Sequence, residues 1–390
     1  MKVLFLSNLY PNSKEPARAT FNRQKIAHLK DYCEITVVAP VQSHPFKSYI
    51  EKRIKHIPPK EVIDGLDVYH PRVLYIPKLF RLSYGILYYF GVRKLISRLH
   101  KINKFDVVFS SWLYPDGYAA MALAGKLKIP FIVEALGSDI NIYLKTFIRK
   151  LMITQTLKKA DYILTASEHL KNKICSLGIP GNKISTIHIG VDRNLFFPVK
   201  QELARNNLGI KADEKLILFI GSLVRLKGLQ YLVKALKQHE KHKWKLFIVG
   251  EGSLYGTLKR MIDNFSMNDR VVFVGPCLHE NIPLWINASD LLCLPSLCEG
   301  IPNVILEAFA CGIPVVASRV GGVSEIVVNE RLGELIEPKN IKALERGIEK
   351  VFDKEWERTY ISEYTGKFSW NAAAKLIFKH IEICSAKSRG

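Results

Sequence analysis

Short apolar runs of about five residues recur along this 390-residue chain, separated by stretches with helical periodicity. Because the runs are continuous and do not alternate with polar residues, each is predicted to be a strand buried on both faces. Such strands form parallel sheets covered by helices on both sides, which indicates an α/β fold of doubly wound units. The runs lie at 2–7, 35–39, 106–110, 130–135, 161–166, 216–222, 245–249, 271–275, 290–295 and 313–317.

The two halves of the chain begin in the same way. Residues 2–7 (KVLFLS) and 216–222 (LILFIGS) are apolar runs, and each is followed by a turn-rich loop and a helical pattern. A chain of this length exceeds one ordinary hydrophobic core. Between the halves, from Gly190 to Pro198, glycine and proline interrupt the periodicity. We therefore predict two Rossmann-like domains in tandem.

Domain boundaries follow from these breaks. The first domain is predicted at 1–195 and the second at 196–362, facing each other across a cleft because no low-complexity linker separates them. Residues 363–390 form a tail with helical spacing from Trp370 to His380, predicted to be a helix that packs back on the first domain. Ligands of such sheets bind beyond the carboxyl ends of the strands, so a site is expected in those loops.

Composition excludes several classes of protein. Hydrophobic residues make up 48% and charged residues 24% of the chain, which excludes a disordered or collagen-like protein. No apolar run reaches the ~18 residues of a transmembrane helix, and the apolar stretch at 1–8 is shorter than that of a signal peptide. The 7 cysteines include no CxxC pair, so we expect reduced thiols in a cytoplasmic protein and no cysteine zinc site.

Positive charge is concentrated in the first half. Residues 1–200 carry 31 Lys and Arg against 14 Asp and Glu (+17), whereas 201–390 carry 26 against 22 (+4), for a total of +21. One interpretation is a solvated basic surface. The more specific one is that the first half binds an anionic partner, such as a membrane surface, nucleic acid or a phosphorylated substrate. Segments 45–60 and 77–104 interleave basic and apolar residues, as in either a core-facing amphipathic helix or a segment lying on anionic lipid. No nucleic-acid-binding motif occurs, so nucleic acid is not an expected partner.

The strongest chemical signal lies at 295–325. Glu299 follows a predicted strand, a turn with Gly300 and Pro302 comes next, and a helix containing Glu307 is predicted after it. The free amides and positive dipole at the start of a helix suit a diphosphate. Carboxylates accept hydrogen bonds from sugar hydroxyls. This segment therefore suits a sugar joined to a diphosphate.

Two other strand-to-helix loops of the second half add to this signal. Gly321-Gly322 lets the backbone approach an anion, and Lys227 lies in the loop that follows the strand at 216–222. No Asp-x-Asp occurs, so a carboxylate-held metal is not indicated, and lysine, arginine and helix dipoles would neutralise the diphosphate. The loop at 250–256 is one residue off the dinucleotide fingerprint, and no acidic residue ends the next strand at 271–275, which disfavours a dinucleotide.

These motifs resemble the family 4 retaining glycosyltransferases (glycosyl transferases group 1), which have the GT-B fold. The resemblance covers nearly the whole chain, with further matching segments at 7–12, 112–117, 137–139, 190–192, 227–228 and 250–252. The core motif positions are Glu299, Glu307, Ala308, Ala310, Gly312, Pro314, Val315, Val316, Gly321, Gly322 and Glu325.

The resemblance implies a nucleotide-diphosphate sugar as donor, with a UDP-sugar favoured and no cofactor or metal required. Glu299 would contact the donor sugar near the reacting carbon, and Lys227 would hold the diphosphate, so these two are the expected catalytic residues. Glu307 would bind the ribose hydroxyls, and the amides of residues 301–304 would hold sugar and phosphate. The donor-side set is Ser222, Arg225, Gly250, Gly252, Gly300, Ile301, Pro302, Asn303, Val304 and Glu307.

The implied reaction transfers the sugar with retention of anomeric configuration, with the leaving phosphate taking the acceptor proton. Charge stabilisation would then be the main contribution of the protein. We expect a lipid-linked or polysaccharide acceptor in cell-surface glycan biosynthesis, and a cytoplasmic enzyme peripheral to the inner face of the membrane. The acceptor-side set is Tyr10, Ala19, Thr20, Trp112, Gly137, Ser138 and Asp139.

Three positions depart from the family pattern. Ser222 stands where the family often has Arg, Leu136 where it often has His, and Ala19 where close relatives often have Gly. Arg225 could substitute for the missing arginine. Leu136 and Ser222 motivate a second hypothesis, a glycan-binding or scaffold relative that has lost turnover. A nucleotide-sugar epimerase of the same fold is the third hypothesis, and the oligomeric state is left open.

Overall fold

The computed structural model describes residues 1–16, 18–43, 56–75, 84–211, 214–239 and 241–387. The chain divides into two compact units. Unit 1 consists of Met1–Ile189 with Trp370–Gly390, and unit 2 consists of Gly190–Ser369. Both units are α/β structures built on parallel sheets, as predicted.

Unit 1 is built on an eight-stranded sheet of order β10-β9-β8-β7-β1-β2-β5-β4, in which only the β4–β5 pair is antiparallel. A separate parallel pair joins β3 to β6. The strands are β1 (Lys2–Leu6), β2 (Glu34–Val38), β3 (Val41–Ser43), β4 (Lys60–Ile63), β5 (Leu66–Tyr69), β6 (Arg72–Leu74), β7 (Val107–Ser111), β8 (Phe131–Ala135), β9 (Tyr162–Thr165) and β10 (Ile184–Thr186).

Helices cover both faces of this sheet. The helices are α1 (Thr20–Leu29), α2 (Tyr84–Asn103), α3 (Tyr118–Leu127), α4 (Ser138–Asn141), α5 (Phe147–Lys159), α6 (Glu168–Cys175) and, from the end of the chain, α15 (Trp370–Lys387). Helices α1 and α15 pack together over one face, where Ile377 and Ile381 join Phe5 and Phe109 in a buried core. Helices α2, α3 and α5 cover the other face. The carboxyl-terminal helix thus belongs to the first domain, as predicted.

Unit 2 is built on a six-stranded, wholly parallel sheet of order β13-β12-β11-β14-β15-β16. The strands are β11 (Lys215–Ile220), β12 (Trp244–Val249), β13 (Val271–Gly275), β14 (Leu291–Leu294), β15 (Val315–Ser318) and β16 (Gly333–Ile336). The helices are α7 (Gln201–Leu208), α8 (Leu229–Gln238), α9 (Tyr255–Asn264), α10 (Ile282–Ala288), α11 (Asn303–Ala310), α12 (Val323–Ile326), α13 (Ile341–Asp353) and α14 (Arg358–Tyr364).

Every strand predicted from an apolar run is present, and the additional strands are short and lie away from the sheet centres. Strand β4 alternates exposed and half-buried side chains, and β5 alternates buried and half-buried ones, so neither is a continuous apolar run. They are joined by Asp64 and Gly65, both at positive φ (52° and 79°), a pair typical of a two-residue hairpin. The Asp-Gly turn was the local signal for this hairpin, and the pairing of β5 with β2 joins the hairpin to the sheet.

The unit boundaries differ from the predicted domain boundaries by a few residues. Residues 190–195 and 363–369 pack with unit 2 instead of with the first domain and the tail. The Val191 amide donates to the Phe368 carbonyl at 3.0 Å, which joins the segments 190–195 and 363–369 within unit 2. Tyr364 packs edge-on against Phe309 of α11 at 5.9 Å.

The basic segments of the first half are described in part. Residues 44–55 and 76–83, which include most of the segment predicted at 45–60 and the start of that at 77–104, lie outside the described residues. The remainder of the second segment is α2, which buries Tyr88, Val92 and Ile96 along one side. Among the described helices, none is long and apolar enough to cross a membrane.

We predict that α15 is required for the stability of unit 1. Ile381 is fully buried against the core, whereas Leu376 on the same helix is 47% exposed. Ile381→Ala should lower the free energy of unfolding of unit 1 by about 2–5 kcal/mol, because it leaves a cavity. Leu376→Ala, the matched control, should change it by less than about 1 kcal/mol. Urea unfolding followed by hydrogen exchange of β1 and β7 measures both; equal effects would contradict this packing.

Candidate functional site

Two of the predicted site residues meet at the carboxyl end of the unit 2 sheet. Lys227 lies in the loop after β11 and Glu299 in the loop after the neighbouring strand β14. Lys227 Nζ donates to Glu299 Oε1 at 2.7 Å, and Ser296 Oγ donates to the same oxygen at 2.6 Å. The Glu299 side chain is 10% exposed. The two expected catalytic residues therefore form one half-buried ion pair.

Glycines allow the loops around this pair to pack backbone against backbone. Gly228 has φ 70°, and a Cβ there would lie 1.8 Å from the Pro295 carbonyl oxygen. Gly321 has φ 56°, and a Cβ there would lie 2.0 Å from the carbonyl oxygen of Glu299. Any other residue would push the loops apart. Nearby, the Gly322 amide donates to the carbonyl of Gly300 at 2.8 Å, which further fixes the turn after Glu299.

Helix α11 begins immediately after this turn. Ile301 and Pro302 are buried and precede the helix, and residues Asn303 and Val304 form its half-buried first turn. The first amides of any helix have no acceptor within the helix, and the positive end of its dipole lies there. The predicted donor-side residues 301–304 therefore lie where a helix start offers backbone donors and a positive dipole end.

Glu307 on α11 has a partner that sequence analysis missed. His279 Nε2 lies 3.0 Å from Glu307 Oε1, and the His279 ring packs against Phe196 with ring centroids 5.2 Å apart. Glu307 is 9% exposed, so its carboxylate is mostly buried but reachable. His279 follows β13 at the same sheet edge, and that position after a strand was the only signal that could have identified it.

A cavity of about 810 Å³ lies at the carboxyl ends of β11, β12 and β13. The loops that line it are joined by the Leu223 amide, which donates to the Glu251 carbonyl at 2.8 Å. The rings of Tyr255 and Phe273 meet edge-on at 4.8 Å on its wall. The predicted donor-side residues Ser222, Gly250 and Gly252 all line this cavity. Arg225 is exposed at the start of the turn that carries Lys227.

Side chains of neighbouring elements hydrogen-bond to the backbone of the first loop of unit 1, which follows β1. The Asn8 amide donates to Asp116 Oδ1 at 2.6 Å, and Asn22 Nδ2 donates to the Leu9 carbonyl at 2.7 Å. Tyr10, an expected acceptor-side residue, is 1% exposed. Burial raises the pKa of its hydroxyl well above the ordinary value. The loop is therefore a rigid element with a neutral tyrosine.

Ala19 has the left-handed backbone conformation (φ 47°, ψ 50°) and directly precedes Thr20, the first residue of α1. A side chain in this conformation costs roughly 1 kcal/mol, which glycine avoids. Alanine in place of the family's glycine therefore introduces backbone strain at the start of α1.

Asp139 lies beneath the other expected acceptor loops. It is completely buried, and its carboxylate accepts from the amides of Leu113, Leu136, Gly137 and Ile140 at 2.8–3.3 Å. Burial raises the pKa of this carboxyl to about 6, although these hydrogen bonds oppose the shift. Asp139 thereby positions the two loops that follow β7 and β8.

The side chains above Asp139 are more accessible. The indole of Trp112 packs against the ring of Tyr143 at 5.6 Å, and Trp112 itself has an unusual backbone conformation with φ 91°. Gly137 has φ 143°, and Ser138 is the half-buried first residue of α4. These residues lie at the carboxyl end of the unit 1 sheet, where sequence analysis expects an acceptor site.

A buried ion pair in unit 1 was not predicted. Lys25 of α1 is 2% exposed and donates to Glu134 at the end of β8, which is 4% exposed. Burial lowers the pKa of Lys25, and the attraction to Glu134 opposes this shift. Ser111 Oγ donates to Glu134 Oε2 at 2.8 Å, which links the pair to β7. The charged Glu134 within the apolar run FIVEA was the available signal.

Asp116 is the second buried charge that sequence analysis left out of the site. It is completely buried, and the hydroxyl of Tyr88 donates to its Oδ1 together with the Asn8 amide. Burial raises the pKa of Asp116 to about 7, and these hydrogen bonds oppose the shift. Asp116 therefore connects α2 to the first loop.

Comparison with known proteins points to one class of enzyme. The model of the family described as glycosyl transferases group 1 matches residues 200–368, and that described as Glycosyltransferase Family 4 matches residues 24–195. The Bacillus subtilis protein with the provisional name teichuronic acid biosynthesis glycosyltransferase TuaC is 28% identical over 370 residues, covering 89% of this chain and 88% of that protein.

Solved structures agree on the fold. Sucrose-phosphate synthase from Thermosynechococcus elongatus superposes with a TM-score of 0.81 at 20% identity, over 99% of both chains. Anabaena HepE, solved in complex with UDP and glucose, superposes with a TM-score of 0.77 at 18% identity, over 98% of this chain and 99% of that one. At these identities the similarity shows the fold alone, and the two Rossmann-like units of this chain have the GT-B fold.

Asp116 predicts a specific pH dependence. Its pKa is about 7 in the folded state against an ordinary 3.8, so the folded chain binds a proton that the unfolded chain loses first. Its contribution to stability therefore falls as pH rises from about 4 to 7, at about 1.4 kcal/mol per pH unit. Asp116→Asn should gain stability relative to the wild type across this window.

Urea unfolding at pH 5 and pH 8, followed by hydrogen exchange in β1 and β7, measures this difference. Asp269→Asn, which alters an exposed carboxylate of unit 2, is the matched control and should follow the wild type at both pH values. A difference between Asp116→Asn and the wild type that stays constant with pH would contradict the assignment.

Proposed function

Because the chain belongs to the family 4 glycosyltransferases, we propose that it transfers a sugar from a UDP-sugar to a lipid-linked or polysaccharide acceptor, with retention and without a metal ion. The observation that carries the proposal is the Lys227–Glu299 pair beside the start of α11. A flexible cation, a carboxylate and a helix amino terminus together match the three charged or polar parts of a nucleotide-diphosphate sugar.

The positive groups of the site suit the diphosphate. An ammonium group has three donors, and Glu299 occupies one donor of Lys227, so the others can bind phosphate oxygens. The backbone amides of Ile301, Asn303 and Val304 would supply further donors, whereas Pro302 has no N–H. As the sugar–phosphate bond breaks, these groups stabilise the charge that develops on the leaving UDP.

Glu299 is suited to the sugar itself. Lys227 and Ser296 both donate to Oε1, which fixes the direction of the carboxylate toward the site. The carboxylate would accept from donor-sugar hydroxyls and stabilise the positive charge that develops at the anomeric carbon. The acceptor oxygen attacks from the face that UDP leaves, and the acceptor proton passes to the leaving phosphate, so configuration is retained.

The nucleoside end would lie toward the other donor-side residues. Glu307, held by His279, is mostly buried with its carboxylate available to the ribose hydroxyls. The cavity of about 810 Å³ next to the Lys227 loop has room for a base, and its wall carries Tyr255 and Phe273. HepE was solved with UDP, and this supports a uracil base for the present donor.

The acceptor would use unit 1. Trp112 and Ser138, at the carboxyl end of its sheet, are half-buried and so partly open to a ligand. The indole of Trp112 can pack against a sugar ring, and the Ser138 hydroxyl can donate to or accept from sugar hydroxyls. The name of TuaC supports a cell-surface glycan as acceptor.

Donor binding is tested by thermal shift with UDP, GDP and ADP, each in EDTA and in magnesium. UDP should raise the melting temperature equally in both, because Lys227 and helix amides hold its phosphates. At 100 times the dissociation constant it should add about 2.7 kcal/mol. Glu307→Ala should reduce this shift, and Glu280→Ala, an exposed control in the same region, should not. A shift that requires magnesium, or none with any diphosphate, would contradict the proposal.

Turnover is tested with Glu299→Gln, which keeps the size of the side chain and removes its charge. We expect kcat to fall at least ~100-fold while the UDP thermal shift remains, because the charge acts mainly on the transition state. Glu280→Gln should retain wild-type kcat. Near-normal turnover in Glu299→Gln would refute its role, and a wild type that binds UDP without turnover would favour the glycan-binding hypothesis.

A further inference from the structure

Helix α5 exposes large apolar side chains to solvent. Phe147 is 81% exposed, Leu151 61% and Ile148 37%, and Phe147 is the most exposed of the large hydrophobic side chains among the described residues. The opposite side of the helix already packs in the core through Ile153 and Leu157. Packing within unit 1 therefore does not account for the exposed residues.

Basic residues surround these apolar side chains. Residues 140–160 contain no Asp or Glu. Their basic residues are Lys145, Arg149, Lys150, Lys158 and Lys159, and all of these except the half-buried Arg149 are exposed. Leu151 lies one turn from Phe147, and Lys158 follows two turns later on the same side. The outer side of α5 is thus apolar at its start and positively charged around it.

Helix α2 continues this surface. Along its outer side, Ile86 (41% exposed) and Phe90 (50% exposed) are followed at the same four-residue spacing by the exposed Lys94 and Arg98. The helix, residues 84–103, has no acidic residue.

The two helices are neighbours in the same layer of unit 1. A Cβ at Gly85, in the first turn of α2, would lie 3.2 Å from Met152 Cε of α5. Both helices also pack beside α3 on the same face of the sheet. Their outer sides therefore face the same solvent region, and the two exposed apolar groups can meet one extended surface.

Aromatic contacts connect α5 to the acceptor loops. The guanidinium of Arg149 lies over the Tyr143 ring at 4.5 Å, and Tyr143 packs against Trp112 at 5.6 Å. The chain runs directly from the Gly137–Asp139 loop through α4 into α5. A surface bound to α5 would therefore lie close in the structure to the expected acceptor residues of unit 1.

We infer that this face binds an anionic lipid bilayer. We call it the basic apolar face, formed by Lys145 just before α5, Phe147, Ile148, Lys150 and Leu151 of α5, and Ile86, Phe90, Lys94 and Arg98 of α2. Phe147 and Leu151 enter the interface between headgroups and acyl chains, and the lysines pair with anionic headgroups. The inference rests on the proposed function, because it names where the enzyme meets a lipid-linked acceptor.

The charge pattern favours a bilayer over a protein partner. Interfacial helices combine an exposed apolar stripe with lysine and arginine and few acids, which is the pattern of both helices here. The first half of the chain carries a surplus of 31 − 14 = 17 positive charges, which adds long-range attraction to an anionic surface. Protein interfaces, by contrast, are depleted in lysine.

The apolar contribution is tested by co-sedimentation with phosphatidylcholine vesicles that contain or lack phosphatidylglycerol. The full-length wild type should bind the anionic vesicles only. Phe147→Ser with Leu151→Ser should weaken binding at least ~10-fold. The matched control is Leu203→Ser with Val328→Ser, two similarly exposed apolar residues of unit 2 (54% and 52%), and it should bind like the wild type.

The charge contribution is tested in the same assay. Lys145→Glu with Lys150→Glu should also weaken binding at least ~10-fold, and the control Lys259→Glu with Lys342→Glu, which changes net charge equally on unit 2, should have a smaller effect. Raising the salt concentration should release the wild type. Two results would overturn the inference. One is vesicle binding that does not depend on lipid charge; the other is an equal loss of binding in the unit 1 and unit 2 variants.

Activity separates this inference from the proposed function. With a water-soluble acceptor, the Phe147→Ser, Leu151→Ser variant should turn over like the wild type, and with an acceptor embedded in anionic vesicles it should be slower. Equal rates in both formats would overturn the inference and leave the transferase assignment intact. A wild type without transferase activity that still binds through Phe147 and Leu151 would refute the proposed function and support the lipid-binding face.

Discussion

The parallel pairing of β11 with β14 is the constraint on which the unit 2 site depends. Because parallel neighbours end at the same sheet edge, the loops that carry Lys227 and Glu299 are brought together although 72 residues separate them. Close approach is then possible only because Gly228 and Gly321 lack a Cβ where the loops touch. The ion pair, the start of α11 and the glycine contacts therefore form one unit, in which a change in any loop would move the carboxylate.

Unit 1 reaches the same kind of rigidity by burying charge. Asp139, Asp116 and the Lys25–Glu134 pair lie beneath the loops at the carboxyl end of its sheet, and most of their hydrogen bonds go to loop backbone or to side chains that hold the loops. Removing charge from water is costly, and the raised pKa values of the two aspartates reflect that cost. Hydrogen bonds to the loops offset part of it. The result is a preorganised surface in which the orientation of Trp112 and Tyr10 is determined by groups that do not themselves need to touch a substrate.

Much of the fold and part of the site could be predicted from the sequence, and the misses have physical causes. Long apolar runs identified the central strands, because a strand buried on both faces has to be apolar throughout. Strands β4 and β5 were missed because neither is a continuous apolar run: half-buried residues alternate with exposed ones in β4 and with buried ones in β5. The roles of His279 and Lys25 were not predicted because their partners, Glu307 and Glu134, are 28 and 109 residues away in the sequence. No local pattern records such a pairing.

The sequence by itself determined the class of fold, the positions of the central strands, and the residue types available for a diphosphate and a sugar at the strand ends. These properties are local, since they depend on the hydrophobicity of five-residue runs and on glycine, proline and glutamate at fixed spacing. Tertiary structure alone decided that Lys227 donates to Glu299, that the Asp139 carboxylate accepts from backbone amides, and that α2 and α5, which both expose apolar residues, approach each other. Those outcomes depend on which distant segments become neighbours and on which side chains lose water, and both are set only when the sheets and helices pack.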